Sequence, residues 1–366
     1  MTRTPARMET RIKVRMEEIE NSLVFNPFFI LSFDPRLNLR RSPRHPRPLL
    51  RRYTAMPRLP FALLAVALLP ALAPAQEKKE PKKKDPTYTR TEDVIYGRKH
   101  GLAMTLDVFT PKDKPNGAGI IFCVSGGWFS AKAGTPVGFI TPLVDRGYTV
   151  FAVVHGSQPK FTIPEVLEDM HRAVRFVRHN AKKYGVDPDR LGITGGSAGG
   201  HLSLMLGTTG KAGNPKAADP VDRQSSKVQA VACFFPPTDF LNYGKKGEVN
   251  LGTGTLAGFR APFEFWERDP ITNALIVIPH EARRREIGKT ISPVYHVAKD
   301  SAPALIIHGD ADKLVPIQQA ELMIEAYKKE GVTCELVTKK DGDHGWKGID
   351  ADILTFADWF DKHIKK

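Results

Sequence analysis

From residue 89 onward the apolar positions switch between two spacings. Residues 89–96 and 103–110 read as short strands joined across 97–101. Residues 120–124 and 148–154 are unbroken apolar runs, as a sheet covered on both faces requires. Between them, 135–146 can form a helix. Residues 163–184 carry Val166, Leu167, Met170, Val174, Val177 and Ala181 at spacings of three and four, the stripe of a helix laid on a sheet, and Gly185 ends it. Strands at 190–194, 228–235, 304–308 and 333–338 then alternate with helices at 198–206, 317–330 and 349–364. Helices of this length between strands imply right-handed crossovers, so the fold class is α/β: a mostly parallel central sheet with helices on both faces. Ligands are then expected beyond the carboxyl ends of the strands. Residues 240–300 break the rhythm. Phe259, Phe263, Phe265 and Trp266 lie there among Gly and Pro, predicting a small cap-like insertion over that end of the sheet.

Upstream of residue 89 the pattern is of another kind. Residues 61–72 form an apolar run of twelve, too short to cross about 30 Å of hydrocarbon as a helix. Arg58 precedes it, and Ala71-Leu-Ala73 or Ala73-Pro-Ala75 follows, then Gln76. Residues 56–75 therefore read as a secretory signal peptide with its cleavage site, predicting a secreted or periplasmic protein with no stable membrane span after cleavage. No cysteine lies near the site, so a lipid anchor is not expected. Residues 1–55 read as an extension from a gene start placed too far upstream, the alternative being a genuine basic arm. Residues 76–88, rich in Lys and Glu, read as a solvated linker. The packed domain is expected at 89–366.

Composition narrows the classes. With 366 residues, 41% hydrophobic and 26% charged, and Gly and Pro without period, a globular domain is required and fibrous or wholly disordered readings fall away. The net charge of +14 suggests nucleic acid until it is located. Residues 1–85 hold 18 Lys/Arg against 8 Asp/Glu, leaving 36 against 32 in the remainder, a net of only +4. The domain carries no electrostatic footprint for DNA or RNA. Cys123, Cys233 and Cys334 form no CxxC pair and sit in apolar runs, as inert core thiols do. One pair could be bridged after export.

Candidate chemistry sits at strand ends. Gly195-Gly196-Ser197-Ala198-Gly199-Gly200 leaves one predicted strand and opens the next helix, matching G-x-S-x-G with extra glycine on both sides. A nucleophile on so sharp a turn needs neighbours without side chains, because the backbone is strained and other elements pass close by. No Lys-Ser/Thr follows as in a phosphate loop, and the G-x-G-x-x-G spacing is absent. A serine needs a histidine base and an acid to orient that base. His344, between Gly342-Asp343 and Gly345-Trp346 in the loop after 333–338, is the candidate base; Asp310 and Asp312, in the loop after 304–308, are the candidate acids. His308 reads as the end of a core strand and His201 as packing behind Ser197. His155, at the end of the strand over 148–154, is a candidate substrate contact. No histidine, with neighbouring Asp, Glu or Cys, makes a metal-ligand cluster, and this chemistry requires no cofactor.

With residues 168–202, which contain Asn180-Ala-Lys-Lys-Tyr-Gly-Val-Asp-Pro-Asp-Arg-Leu-Gly-Ile-Thr-Gly-Gly-Ser197-Ala-Gly-Gly-His, and with Ile291-Ser-Pro-Val-Tyr-His-Val297, the chain resembles the esterase/lipase branch of the α/β-hydrolases, near hormone-sensitive lipase and the bacterial acetyl and feruloyl esterases. The likeness spans roughly residues 89–364. It implies the order Ser, Asp, His, and an acid just before an x-x-Val-Pro run, which selects Asp312 over Asp310. It also implies that Ser125-Gly126-Gly127-Trp128 stands where that branch has H-G-G-G, so that the N–H groups of Gly127, Trp128 and Ala198 would hold an oxyanion. Ser125 departs from the pattern, which has histidine there. The implied activity is cleavage of a small-molecule or carbohydrate ester. A prolyl-oligopeptidase-type peptidase is the rival, although residues 76–88 leave no room for the propeller such enzymes usually carry. A binding module with a dead site is disfavoured because every candidate catalytic side chain is present.

Overall fold

The computed structural model describes residues 85–365. The expectations for residues 1–55, 56–75 and most of 76–88 lie outside them.

Strands β1 (Tyr88–Lys99), β2 (Leu102–Pro111), β3 (Gly119–Val124), β4 (Thr149–Val154), β5 (Leu191–Gly196), β6 (Ala230–Phe234), β9 (Ala304–Gly309) and β10 (Cys334–Lys339) form one sheet in the order β1-β2-β4-β3-β5-β6-β9-β10. β1 pairs antiparallel with β2, and β2 with β4, while every pairing from β4 onward is parallel. The parallel strands are apolar on both faces because helices cover both. Along β3, Ile121 and Cys123 join the core beneath α2 (Ile163–His179), α3 (Ala198–Thr209) and α5 (Gln318–Glu330), whereas Ile120, Phe122 and Val124 face α1 (Val137–Asp145) and α6 (Ile353–Ile364). That is the period-two alternation of a strand.

The helix expected over 163–184 ends at His179 and continues as a 3₁₀ turn over Ala181–Tyr184, closed by Gly185 in the left-handed conformation. All six stripe residues are buried. Its start is fixed by a capping box, with the Thr162 N–H donating to Glu165 Oε2 at 2.8 Å. The helix expected over 349–364 opens as a 3₁₀ turn over Ile349–Asp352 before α6.

The 240–300 region holds more regular structure than its sequence suggests: a hairpin, β7 (Trp266–Arg268) with β8 (Leu275–Val277), and a helix, α4 (Glu281–Thr290). Phe240, Tyr243, Leu251, Leu256, Phe263 and Phe265 join the core shared with α2 and α3, so the base of this insertion is built into the domain. Among the described residues, no helix is long and apolar enough to cross a membrane.

Candidate active site

Ser197 lies between β5 and α3 with φ 54° and ψ −120°, a conformation a non-glycine residue holds only under constraint. The constraint is visible on each side. The Ser197 N–H donates to the carbonyl of Phe234 at the end of β6, at 3.0 Å. A Cβ on Gly195 would stand 2.6 Å from the carbonyl carbon of Gly199, and one on Gly199 would stand 2.8 Å from the Cys123 oxygen. Glycines thus let the turn fold back on itself and let α3 start against the end of β3.

The loops after β9 and β10 bring the other side chains to this turn. His344 Nε2 stands 2.9 Å from Ser197 Oγ, and His344 Nδ1 stands 2.7 Å from Asp312 Oδ2. A carboxylate can only accept, so Nδ1 carries the proton and Nε2 is free to accept from the serine hydroxyl. The Phe235 ring covers the imidazole, with centroids 4.3 Å apart. Asp312 Oδ1 accepts the N–H groups of Leu314 and Val315, each at 2.9 Å. Burial alone would raise the Asp312 carboxyl, but hydrogen bonds from His308 and His344 outweigh it and hold the group well below the usual carboxylate range. Asp310 is placed differently: it is exposed, and its Oδ1 accepts the Asp341 N–H at 2.6 Å, tying the two loops together. The structure brings Ser197, His344 and Asp312 into one hydrogen-bonded chain and leaves Asp310 outside it.

After β3, paired hydrogen bonds between Gly126 and Phe129, at 2.9 and 3.0 Å, close a two-residue turn whose central residues, Gly127 and Trp128, have φ of 54° and 58°. Positive φ at both centres is the mirror-image turn that glycine favours and tryptophan does not. Trp128 is held there by its ring, which is buried against Phe263 and Phe240 and donates from Nε1 to His201 Nδ1 at 3.1 Å. The Gly127 and Trp128 N–H groups donate to no group among the described residues. Ala198 opens α3, where the first N–H groups have no intrahelical acceptor.

The BD-FAE family model matches residues 106–327, more than half of the chain. The chain belongs to the BD-FAE family. The fold is that of the α/β-hydrolases, in their esterase branch. The truncated form of a carbohydrate esterase from gut microbiota superposes on this BD-FAE chain with a TM-score of 0.62 at 28% identity, covering 77% of this chain and 99% of that one. The probable carboxylic ester hydrolase LipM of Mycobacterium tuberculosis is 28% identical over 246 residues, 66% of this chain and 52% of its own. The acetylxylan esterase of Xylanibacter ruminicola is 27% identical over 263 residues, 70% of this chain and 44% of its own. The chain spans about half the length of the first of the curated relatives it matches.

Against this BD-FAE fold one sequence expectation is corrected. His155 is 2% exposed and both its ring nitrogens are engaged within the protein, so it is not a substrate contact. Burial pushes it down to about 4. His201 and His308 do more than pack. His201 Nε2–H donates to the Ile291 carbonyl at 2.6 Å while Nδ1 accepts from the Trp128 Nε1–H, clamping the turn to the 240–300 region. His308 Nε2–H donates to the Val315 carbonyl at 2.8 Å and lies 3.3 Å from Asp312 Oδ2. Its only sequence signal is the His-Gly-Asp-Ala-Asp312 spacing at the end of β9. The three cysteines are free, and burial pushes their thiols up, Cys123 and Cys334 to about 12.

Proposed function

We propose that this BD-FAE protein hydrolyses carboxylic esters through an acyl-enzyme on Ser197. The observation that carries the reading is the unbroken chain from Ser197 Oγ through His344 to Asp312, with steps of 2.9 and 2.7 Å, at the carboxyl ends of β5, β9 and β10. His344 Nε2 takes the hydroxyl proton as Oγ attacks the ester carbonyl carbon. The carbonyl oxygen becomes an oxyanion, and the N–H groups of Gly127, Trp128 and Ala198 hold it. Collapse of the tetrahedral intermediate breaks the ester C–O bond, and the alcohol leaves with the proton from Nε2. Water then repeats the sequence on the acyl-enzyme, and its proton passes through Nε2 to the departing Ser197 Oγ. Asp312 keeps the proton on Nδ1 throughout and stabilises the imidazolium.

Acetyl or feruloyl esters of carbohydrates are the proposed substrates, a choice supported by the carbohydrate esterase and acetylxylan esterase among the similar proteins. The protein is exported in this reading, which is supported by the apolar run at 61–72 and the small residues after it. The test is a turnover screen across acyl chain lengths and across acetylated and feruloylated sugars, with Ser197→Ala as the blank. Turnover of short acyl esters but not of aminoacyl amides is expected. Ester turnover that survives in Ser197→Ala, or amide cleavage exceeding ester cleavage, would overturn the reading.

A further inference from the structure

The place where histidine is implied by the family likeness is Ser125, yet an imidazole reaches the same turn from a different strand. His155 stands just past β4. Its Nδ1 lies 2.8 Å from the Gly156 carbonyl, which can only accept, so Nδ1 carries the proton. Nε2 is then the acceptor, and it lies 2.8 Å from Ser125 Oγ, whose hydroxyl donates to it. Burial keeps the ring neutral near neutral pH, so this donor–acceptor order is fixed.

The imidazole is itself held from behind. The Gly156 N–H donates to Asp169 Oδ2 at 2.8 Å, and Asp169 Oδ1 pairs with Lys99 Nζ at 2.7 Å. A second tie runs beside the first: the His155 N–H donates to Ser130 Oγ at 3.2 Å, and that hydroxyl donates to the Val124 carbonyl. Ser125 precedes the Gly126–Phe129 turn and Ser130 follows it, so the turn is pinned on both sides to the end of β4. Ser125 also lies beside the start of the nucleophile's helix, since its carbonyl oxygen would stand 3.4 Å from a Cβ placed on Gly199. A shift of Ser125 would therefore displace the turn relative to Ser197.

We propose that Ser125 and His155 are a positioning pair that sets the Gly127–Trp128 turn at the distance from Ser197 at which its N–H groups meet the oxyanion. The inference rests on the assignment of those N–H groups as oxyanion donors. Neither side chain touches substrate; the pair acts through the backbone. A looser turn weakens contacts that exist only in the transition state, so kcat falls while KM holds.

The test is a double-mutant cycle on the full chain, with ester kinetics and inhibition by a short alkyl trifluoromethyl ketone, whose hemiketal with Ser197 carries the oxyanion. Ser125→Ala removes the hydroxyl without adding volume and is expected to lower kcat about tenfold, less than losing a whole oxyanion donor, with KM within about twofold. Inhibition by the ketone weakens by the same factor. His155→Leu gives a similar loss, and the double variant is no worse than the worse single, because the two act as a unit. His155→Gln, which keeps an acceptor near Nε2, recovers part of it. Wild-type kcat and ketone affinity in Ser125→Ala, or losses that multiply in the double variant, would overturn the pair. Absence of Ser197-dependent turnover in the wild type would instead overturn the functional reading beneath it.

Discussion

Asp312 Oδ1 takes two backbone N–H groups and Oδ2 faces two imidazoles, whereas Asp310, two positions earlier in the same loop, bonds only the start of the neighbouring loop. Asp312→Asn keeps the shape but offers His344 an amide, which can strand the wrong tautomer, so kcat should fall by about 10²- to 10⁴-fold. Asp310→Asn should change it by less than about threefold, since the group bears on loop geometry alone. Steady-state kinetics on both variants checks the ranking, and the reverse ranking would move the acid to Asp310. Ser197 was legible in the sequence because its strain demands glycines on both sides. His344 and Asp312 were legible because each sits in a polar loop straight after an apolar strand. The partners of His155 and His201 were not legible. Ser125 lies 30 residues from His155, and Trp128 lies 73 from His201, and no local period encodes either contact.

The turn after β3 supplies two of the three proposed oxyanion donors. Gly127 has φ 54°, which valine resists strongly because of its branched Cβ, and its N–H is one of the proposed donors. Gly127→Val should lower kcat/KM by about 10²-fold or more, comparable to losing one oxyanion donor at about 3 kcal/mol. Kinetics with a melting curve checks this, and near-normal turnover in a folded variant would place the oxyanion elsewhere. The sequence shows an element plainly where its apolar period is clear, as in α2 and β3. α4 has no sequence signature because its ten residues, Glu281–Thr290, bury only Gly288 and offer no stripe. The β7–β8 hairpin has none either, because its three-residue strands are exposed along their whole length and no alternation of buried and open positions marks them. Both read as irregular for the same physical reason: little of either is shaped by the core.

At the scale of the domain, three histidines are held neutral near neutral pH: His155 and His201, which are buried, and His171, which is partly buried. Burial, the largest cause in each, lowers His155, His171 and His201 from 6.5 to about 4. The unfolded chain binds these protons near 6.5 and the folded chain only near 4, so the stability they contribute is fully present above about 6.5 and is lost as pH falls toward 4. The unfolding free energy should therefore fall steadily between pH 7 and 5, before most carboxylates titrate, with a limiting slope of about 1.4 kcal/mol per pH unit for each proton, and Tm should fall with it. Thermal unfolding at fixed ionic strength measures this, and a flat Tm across that window would contradict the burial argument. The sheet begins at Tyr88, and most of the charge excess lies before residue 86, so a chain starting at residue 86 should fold and retain its turnover. Circular dichroism and an ester assay on that chain check it, and failure to fold would give the N-terminal segment a structural role.

The Ser197–His344–Asp312 chain should make one hydroxyl nucleophilic, and covalent labelling reads that out. After treatment with a fluorophosphonate, intact mass and peptide mapping should show a single adduct on Ser197. The adduct should be absent in Ser197→Ala, and its formation should be slowed by about 10³-fold or more in His344→Ala, because without the base the oxygen keeps its proton. A folded wild-type protein that stays unlabelled, or one labelled elsewhere, would contradict the account.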